Sequence, residues 1–324
     1  IALENSFNRV GLDHVMLVRI ASTAVSAQLL GCDREQMLNA VSHAWLDGSS
    51  LRTYRHAPNT GSRKSWAAGD ATARGLFLAL MAKRGEMGYP SAVTAPVWGF
   101  QDVLFKGNEL SFKQEYGTYV MENILFKISY PAEFHAQTAV EAAINLHSLV
   151  KDKLDTIEKI VIETQESGNR IINKTGKLNN PADRDHCIQY MVAIGLIKGA
   201  LVAEDYEDDI ANLPIVDEIR AKMQVSENTR YSKEYLEADK RSIGNAIQVF
   251  FKDGTSTHLE SVDYPVGHRR RREEGIPLLV EKFEHSITSH MTEERARKLM
   301  QVCSTQEVFV STSVDEMMMM LSSN

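Results

Sequence analysis

The chain has 324 residues, 43% hydrophobic and 24% charged, with a net charge of -7. That is a globular composition, long enough for two domains or one large one, and its acidic balance supplies no global field for nucleic acid. Three scattered cysteines, Cys32, Cys187 and Cys303, exclude a disulfide framework and an iron–sulfur cluster and imply a reducing compartment.

In chain order, apolar spacing predicts a buried helix over residues 15 to 31, closed by Gly31. His14 stands directly before it, after Gly11-Leu12-Asp13. Asp33 can cap the next helix, REQMLNAVSHAWL, where Met37, Leu38, Val41 and Trp45 recur at helical spacing and His43 reads as a packed core residue.

The stretch from Leu51 to Ala92 organises the chain. Arg52, Tyr54, Arg55 and His56 lead through the turn Pro58-Asn59-Thr60-Gly61-Ser62 to Arg63 and Lys64, ahead of a central helix expected over residues 65 to 84. A helix N-terminus already carries partial positive charge, so Arg55, His56, Arg63 and Lys64 read together as a pocket for a carboxylate-rich small molecule. A solvated basic loop is the alternative. Ala67, Ala68, Gly69, Ala71, Ala73 and Gly75 are too small for a solvated face and predict close helix packing.

Lys127 sits between Phe126 and Ile128 at an expected domain boundary. It is either a cleft lysine that gains from an anion or a snorkelling lysine. Beyond it, AEFHAQTAVEAAINLHSLV reads as a helix containing His135, and IEKIVIETQES as a strand. Asn180-Pro181 starts a helix running through ADRDHCIQYMVAIGLIKGAL, on which Tyr190 follows His186 by four residues and shares its face. NAIQVFFKDGTSTHLESVDYP is a hairpin with Asp253-Gly254 at its turn. The run His268 to Arg272 reads as a substrate-facing or salt-bridged turn rather than a nucleic-acid patch, and helices resume from Ile276. The fold class is therefore mainly α with an α+β insert.

Six segments, the first two overlapping, carry a specific resemblance: SHAWLDGSSLRTYRHAPN, YRHAPNTGSRKSWAAGDA, GYPSAVTAPVWGF, YVMENILFKISYPAEFHAQTAVEAA, LNNPADRDHCIQYMVAIGL and YPVGHRRRREEGIPLLVEKF. In this order they resemble the MmgE/PrpD family over nearly the whole chain. The resemblance implies a helical domain, residues 1 to 126 with 265 to 324, and a smaller α+β lid domain, residues 127 to 264. It implies a cofactor-independent lyase that removes water from 2-methylcitrate to give 2-methyl-cis-aconitate in propionate breakdown. Alternatives within the family are a cis-aconitate decarboxylase-like enzyme and an inactive tricarboxylate binder.

In the family, residues matching Lys64, Lys127, His14 and Tyr190 belong to the active site, which makes them the catalytic candidates. Arg55, His56, Arg63, His135 and His186 are candidates for substrate binding; the sequence leaves His186 equally open as a polar core residue. No metal and no cofactor are expected, and no HExxH, CxxC, P-loop, GxGxxG or GxSxG pattern is present. The expected partner is a tricarboxylate, in a homodimer without nucleic acid or membrane. The expected place is soluble and intracellular: cytoplasm in a bacterium, mitochondrial matrix in a eukaryote. The opening IALENSFNRVG lies inside the helical domain of the family, so an upstream part with a further active-site histidine is expected, together with an exposed apolar helix face in this chain.

Overall fold

A computed structural model describes every residue except Gly48, Ser49, Ala57, Lys113, Gln114, Tyr116, Ser323 and Asn324, and the side chains of Leu3 and Tyr119. The main elements are α1 (Val15–Leu29), α2 (Arg34–Leu46), α3 (Arg63–Lys83), α4 (Gln137–Val150), β1 (Ile157–Thr164), α5 (Pro181–Arg184) and α6 (Ile188–Lys198). They continue as β2 (Met223–Glu227), β3 (Asn245–Phe251), β4 (Glu260–Val262), α7 (Arg272–Thr288), α8 (Glu293–Ser304) and α9 (Val314–Leu321). Among the described residues no helix is long and apolar enough to cross a membrane.

One compact unit comprises Ile1–Gly117, Ile171–Met191 and Ala203–Arg220. Its frame is the packing of α1, α2 and α3 on one another. Helix α1 ends before Gly31, whose φ of 72° closes it, and α2 opens with a reciprocal capping box between Asp33 and Gln36. Along α3 the buried positions are Ala67, Ala71, Gly75, Leu78, Ala79 and Ala82, a stripe at helical spacing. A Cβ at Gly75 would stand 2.9 Å from the Thr23 backbone nitrogen and 3.0 Å from Ser22 Cβ. Only glycine lets the backbones of α1 and α3 come this close. Phe7, Phe100 and Phe105 form an aromatic cluster joined by Trp45, whose ring centre is 4.9 Å from that of Phe100. The outward faces of α1 and α3 expose Val25, Leu29, Leu76, Phe77 and Leu80, with Leu29 82% exposed.

The second unit comprises Thr118–Arg170, Val192–Val202 and Ala221–Asn324. Its sheet has the order β2-β1-β3-β4: β2 lies parallel to β1, while β3 pairs antiparallel with both β1 and β4. Ile160 and Ile162 of β1 pair with Val249 and Ile247 of β3. All four are fully buried, and α4 packs against β3 and β4. The hairpin turns at Asp253, whose carboxylate accepts from the Thr255 N–H at 2.9 Å, and at Gly254 with φ of 84°. Strand β2 has no counterpart in the sequence expectation.

The compact units are divided at other places than the expected domains. Helices α7 to α9 belong with the sheet, because Arg271 is paired to Glu141 at 2.9 Å and the Arg272 guanidinium lies 3.6 Å above the Phe126 ring. Segment 171–191 belongs with α1 to α3, where Asn180 donates to the Thr60 carbonyl at 2.9 Å. The basic run is a salt-bridged turn: Arg271 also meets Glu274 at 2.7 Å, and Arg269 and Arg270 both donate to the Asp239 carbonyl.

The helix expected to run on from Asn180-Pro181 starts as predicted, with the Asn180 side chain accepting from the Asp183 N–H. It then stops after Arg184, and α6 begins at Ile188. Hydrogen bonds from His186 N–H to the Asp183 carbonyl and from Cys187 N–H to the Arg184 carbonyl tighten the chain into a turn. His186 and Tyr190 therefore do not share a helix face.

Candidate functional site

The site is built around that turn. Lys64 lies in the first turn of α3, which begins at Arg63, two residues earlier than expected. Its ammonium donates to Asp185 Oδ1 at 2.5 Å and to the Ala182 carbonyl at 3.3 Å, and meets His186 Nδ1 at 2.8 Å. His186 Nδ1 is also 2.9 Å from Asp185 Oδ1. The three side chains close a triangle through which a proton can move: neutral His186 accepts from Lys64 at Nδ1, and protonated His186 donates there to Asp185. Burial lowers the Lys64 pKa; Asp185 pulls it back up, and the Arg55 and Lys174 charges push it down again. Burial raises the Asp185 carboxyl, but His186 and Lys64 outweigh that and hold it below the usual carboxylate range.

A second knot fixes the start of α1. Asp13 is 0% exposed and accepts from Arg55 Nε at 2.6 Å, Arg52 Nη1 at 3.3 Å and the Val15 N–H at 3.0 Å. This ties the N-terminus of α1 to the 3₁₀ turn Arg52–Arg55. His14, next along the chain, keeps a half-exposed imidazole 3.5 Å from Asp13. Burial pushes the His14 pKa below 6.5; Asp13 opposes this, and Arg55 and Arg52 reinforce it. His56 is lowered too, by burial first and then by Arg52, Lys174 and His186. Arg55 and Arg52 thus act on His14, and Arg52 and Lys174 on His56, two histidines biased toward neutrality; Arg55 and Lys174 also act on Lys64, and Asp13, Asp183 and Asp185 supply the opposing charge. Such an arrangement can hold a polycarboxylate and offer it a neutral imidazole base.

Of the candidates read from sequence, Lys64, His186, Arg55, His56 and His14 all lie in this unit: the Arg55 charge acts on His14 and on Lys64, that of His186 acts on His56, and Lys64 touches His186. Arg63 goes elsewhere. It pairs with Asp70 at 3.1 Å, stacks on Trp66 at 4.3 Å and lines a cavity of about 610 Å³ with Arg19, Asp47, Tyr54 and Arg74. Tyr190 is 1% exposed; its hydroxyl donates to the Asp205 carbonyl at 2.5 Å and its ring stacks on Tyr206 at 5.9 Å. Burial pushes its pKa up to about 12. Its hydroxyl is used in the core, with no face presented to a ligand.

Lys127 and His135 belong to the second unit. Lys127 is exposed, and its backbone carbonyl accepts from Lys282 Nζ at 2.9 Å. His135 is a buried link, with Nδ1 2.9 Å from Glu133 and Nε2 3.3 Å from the Tyr235 hydroxyl. Sequence reasoning missed Asp13, Asp185 and Lys174 as site residues. For two of them the signal was adjacency: Asp13 precedes His14, and Asp185 precedes His186. Among the described residues no group of three or more His, Cys, Asp or Glu side chains could hold a metal ion.

Residues 1–113 match the MmgE/PrpD N-terminal domain and residues 130–306 the MmgE/PrpD C-terminal domain. A 2-methylcitrate dehydratase of Escherichia coli (strain K12) is 59% identical over 305 residues, 93% of this chain and 63% of the relative. A mitochondrial 2-methylcitrate dehydratase of Yarrowia lipolytica is 58% identical over 320 residues, 98% of this chain and 61% of the relative. One from Cupriavidus necator is 57% identical over 319 residues, 98% and 66% respectively. The chain thus spans less than two thirds of the length of these relatives.

Proposed function

The chain belongs to the MmgE/PrpD family, and from that premise we propose that it acts as a hydro-lyase, removing water from 2-methylcitrate to give 2-methyl-cis-aconitate in propionate breakdown. The observation that carries this reading is the gathering of Arg52, Arg55, Lys64 and Lys174 around His14, His56 and His186. A substrate with three carboxylates needs several fixed cations, and its proton next to a carboxylate becomes removable only when the developing negative charge is neutralised.

In the proposed chemistry Arg55 and Lys64 hold carboxylates. His14, kept neutral near pH 7, takes the carbon-bound proton, and the carbon–oxygen bond breaks. The leaving hydroxyl departs as water with a proton from His186, which Lys64 replaces across their 2.8 Å contact. Lys127 as a further cation for the reaction, the lid role of residues 127 to 264, the homodimer and the cytoplasmic or mitochondrial setting rest on the family resemblance and belong to the same proposal.

The test follows 2-methylcitrate, citrate and cis-aconitate in parallel, measuring water loss and carbon dioxide release. Dehydration of 2-methylcitrate without carbon dioxide supports the reading. Carbon dioxide from cis-aconitate would make the protein a decarboxylase, and binding without turnover an inactive tricarboxylate binder. The base assignment has its own signature in pH. A base must be unprotonated, and the His14 pKa lies below 6.5. The acidic limb of kcat/KM should therefore fall below pH 6.5, and His14→Gln should abolish it along with most turnover. A limb centred above 6.5, or one unchanged in the variant, would remove His14 from the role.

A further inference from the structure

We propose that Lys174 is a substrate-binding residue whose ammonium receives one of the substrate carboxylates. This rests on the tricarboxylate reading above. Nζ of Lys174 is buried, on a side chain 12% exposed, and has no hydrogen-bond partner among the described residues. Its nearest acid is Asp183 Oδ1, 3.8 Å away, which likewise has no hydrogen-bond partner. An ammonium has three donors and no acceptor, and leaving them unmade out of water is costly. An ion pair serving only the fold would close to hydrogen-bond distance, about 2.7–2.9 Å. This one stays open because both ends are fixed.

On the lysine side, the Lys174 N–H donates to Gln189 Oε1 at 3.2 Å, and Gln189 Nε2 donates to Asn173 Oδ1 at 2.5 Å. Cys187 Sγ donates to the Lys174 carbonyl at 3.4 Å. Gln189 and Cys187 are both buried, so this short segment is stapled to the start of α6, directly beside the Asp185–His186 turn. On the acid side, Asp183 is held by the Asn179 N–H at 3.2 Å and by the cap of α5. The charge of Lys174 reaches the site, pushing His56 and Lys64 down. A carboxylate oxygen arriving there would take donors that nothing else uses.

The experiment measures citrate binding by calorimetry and KM and kcat for 2-methylcitrate in the intact protein. The variants are Lys174→Met, Lys174→Arg and the double variant Lys174→Met with Asp183→Asn. The double variant removes both charges together, so no buried carboxylate is left uncompensated. Loss of one charge-assisted carboxylate contact corresponds to about 10- to 100-fold in affinity. That loss is expected in Lys174→Met and in the double variant, with KM rising more than kcat falls, the double variant melting like the wild type and Lys174→Arg largely rescuing. Wild-type citrate affinity in the double variant, even if Lys174→Met alone loses affinity and melts early, would show a purely structural lysine and overturn the inference while the function stands. A wild-type protein that binds neither citrate nor 2-methylcitrate would refute the function and this inference together.

Discussion

Replacing Lys64 with methionine is expected to lower kcat/KM for 2-methylcitrate by about 10²- to 10⁴-fold, the range for losing one positioned proton-transfer group. The fold should survive. Lys64 leaves behind Asp185 and His186, which already stand 2.9 Å apart and can pair with each other once the ammonium is gone. The methionine stem keeps the aliphatic packing of the lysine. The variant should therefore melt within a few degrees of the parent, and its loss should appear mainly in kcat, because the proton supply to His186 is cut while Arg55 still holds a carboxylate. Steady-state kinetics with a thermal melt on the same sample decide it. A variant with parental turnover would remove Lys64 from the chemistry, and one that is inactive only because it has unfolded would make Lys64 a structural residue.

Asp13→Ala is expected to be the most damaging single change to the helical unit. The carboxylate is fully buried and shared by Arg55, Arg52 and the Val15 N–H. Removing one partner of a buried ion pair costs about 3–5 kcal/mol, because charge stays behind with less to balance it. Arg55 and His14 would also lose the group that fixes them, so turnover should drop with stability. Asp13→Asn keeps the shape and an acceptor for the Val15 N–H, and should be the milder variant in both respects. Denaturant unfolding of the three proteins measures this. An Asp13→Ala midpoint equal to the parent's would show that the arginines hold themselves in place by other means.

Much of the fold was legible because its signals are local. Asp33 and Gln36 cap α2 from within a single turn, Asp253-Gly254 bends a hairpin, and Asn180-Pro181 starts α5. Of the small residues of α3, Ala67, Ala71 and Gly75 face a close helix neighbour, with Gly75 against Thr23 the nearest approach, whereas Ala68, Gly69 and Ala73 lie on the exposed face after all. What escaped depends on partners distant in sequence. The break after Arg184 brings Asp185 and His186 to Lys64, far upstream in the chain. Tyr190 was placed by a periodicity that this break interrupts. Lys174 carries no local motif at all; its importance comes from Gln189 and Cys187 fixing it while its Nζ stays unpaired. Strand β2 alternates weakly and exposes Gln224, Ser226 and Glu227, so it pairs at the sheet edge without an apolar face that the sequence would reveal.

In the proposed function, this cationic site eliminates water from a tricarboxylate. The most direct measurement is the initial rate at which the intact protein converts 2-methylcitrate to the conjugated acid, followed by its ultraviolet absorbance with carbon dioxide monitored in the same vessel. Absorbance should rise as substrate is lost, no carbon dioxide should appear, and the rate should collapse in Lys64→Met. Carbon dioxide released in step with substrate, or a rate indifferent to Lys64, would contradict it.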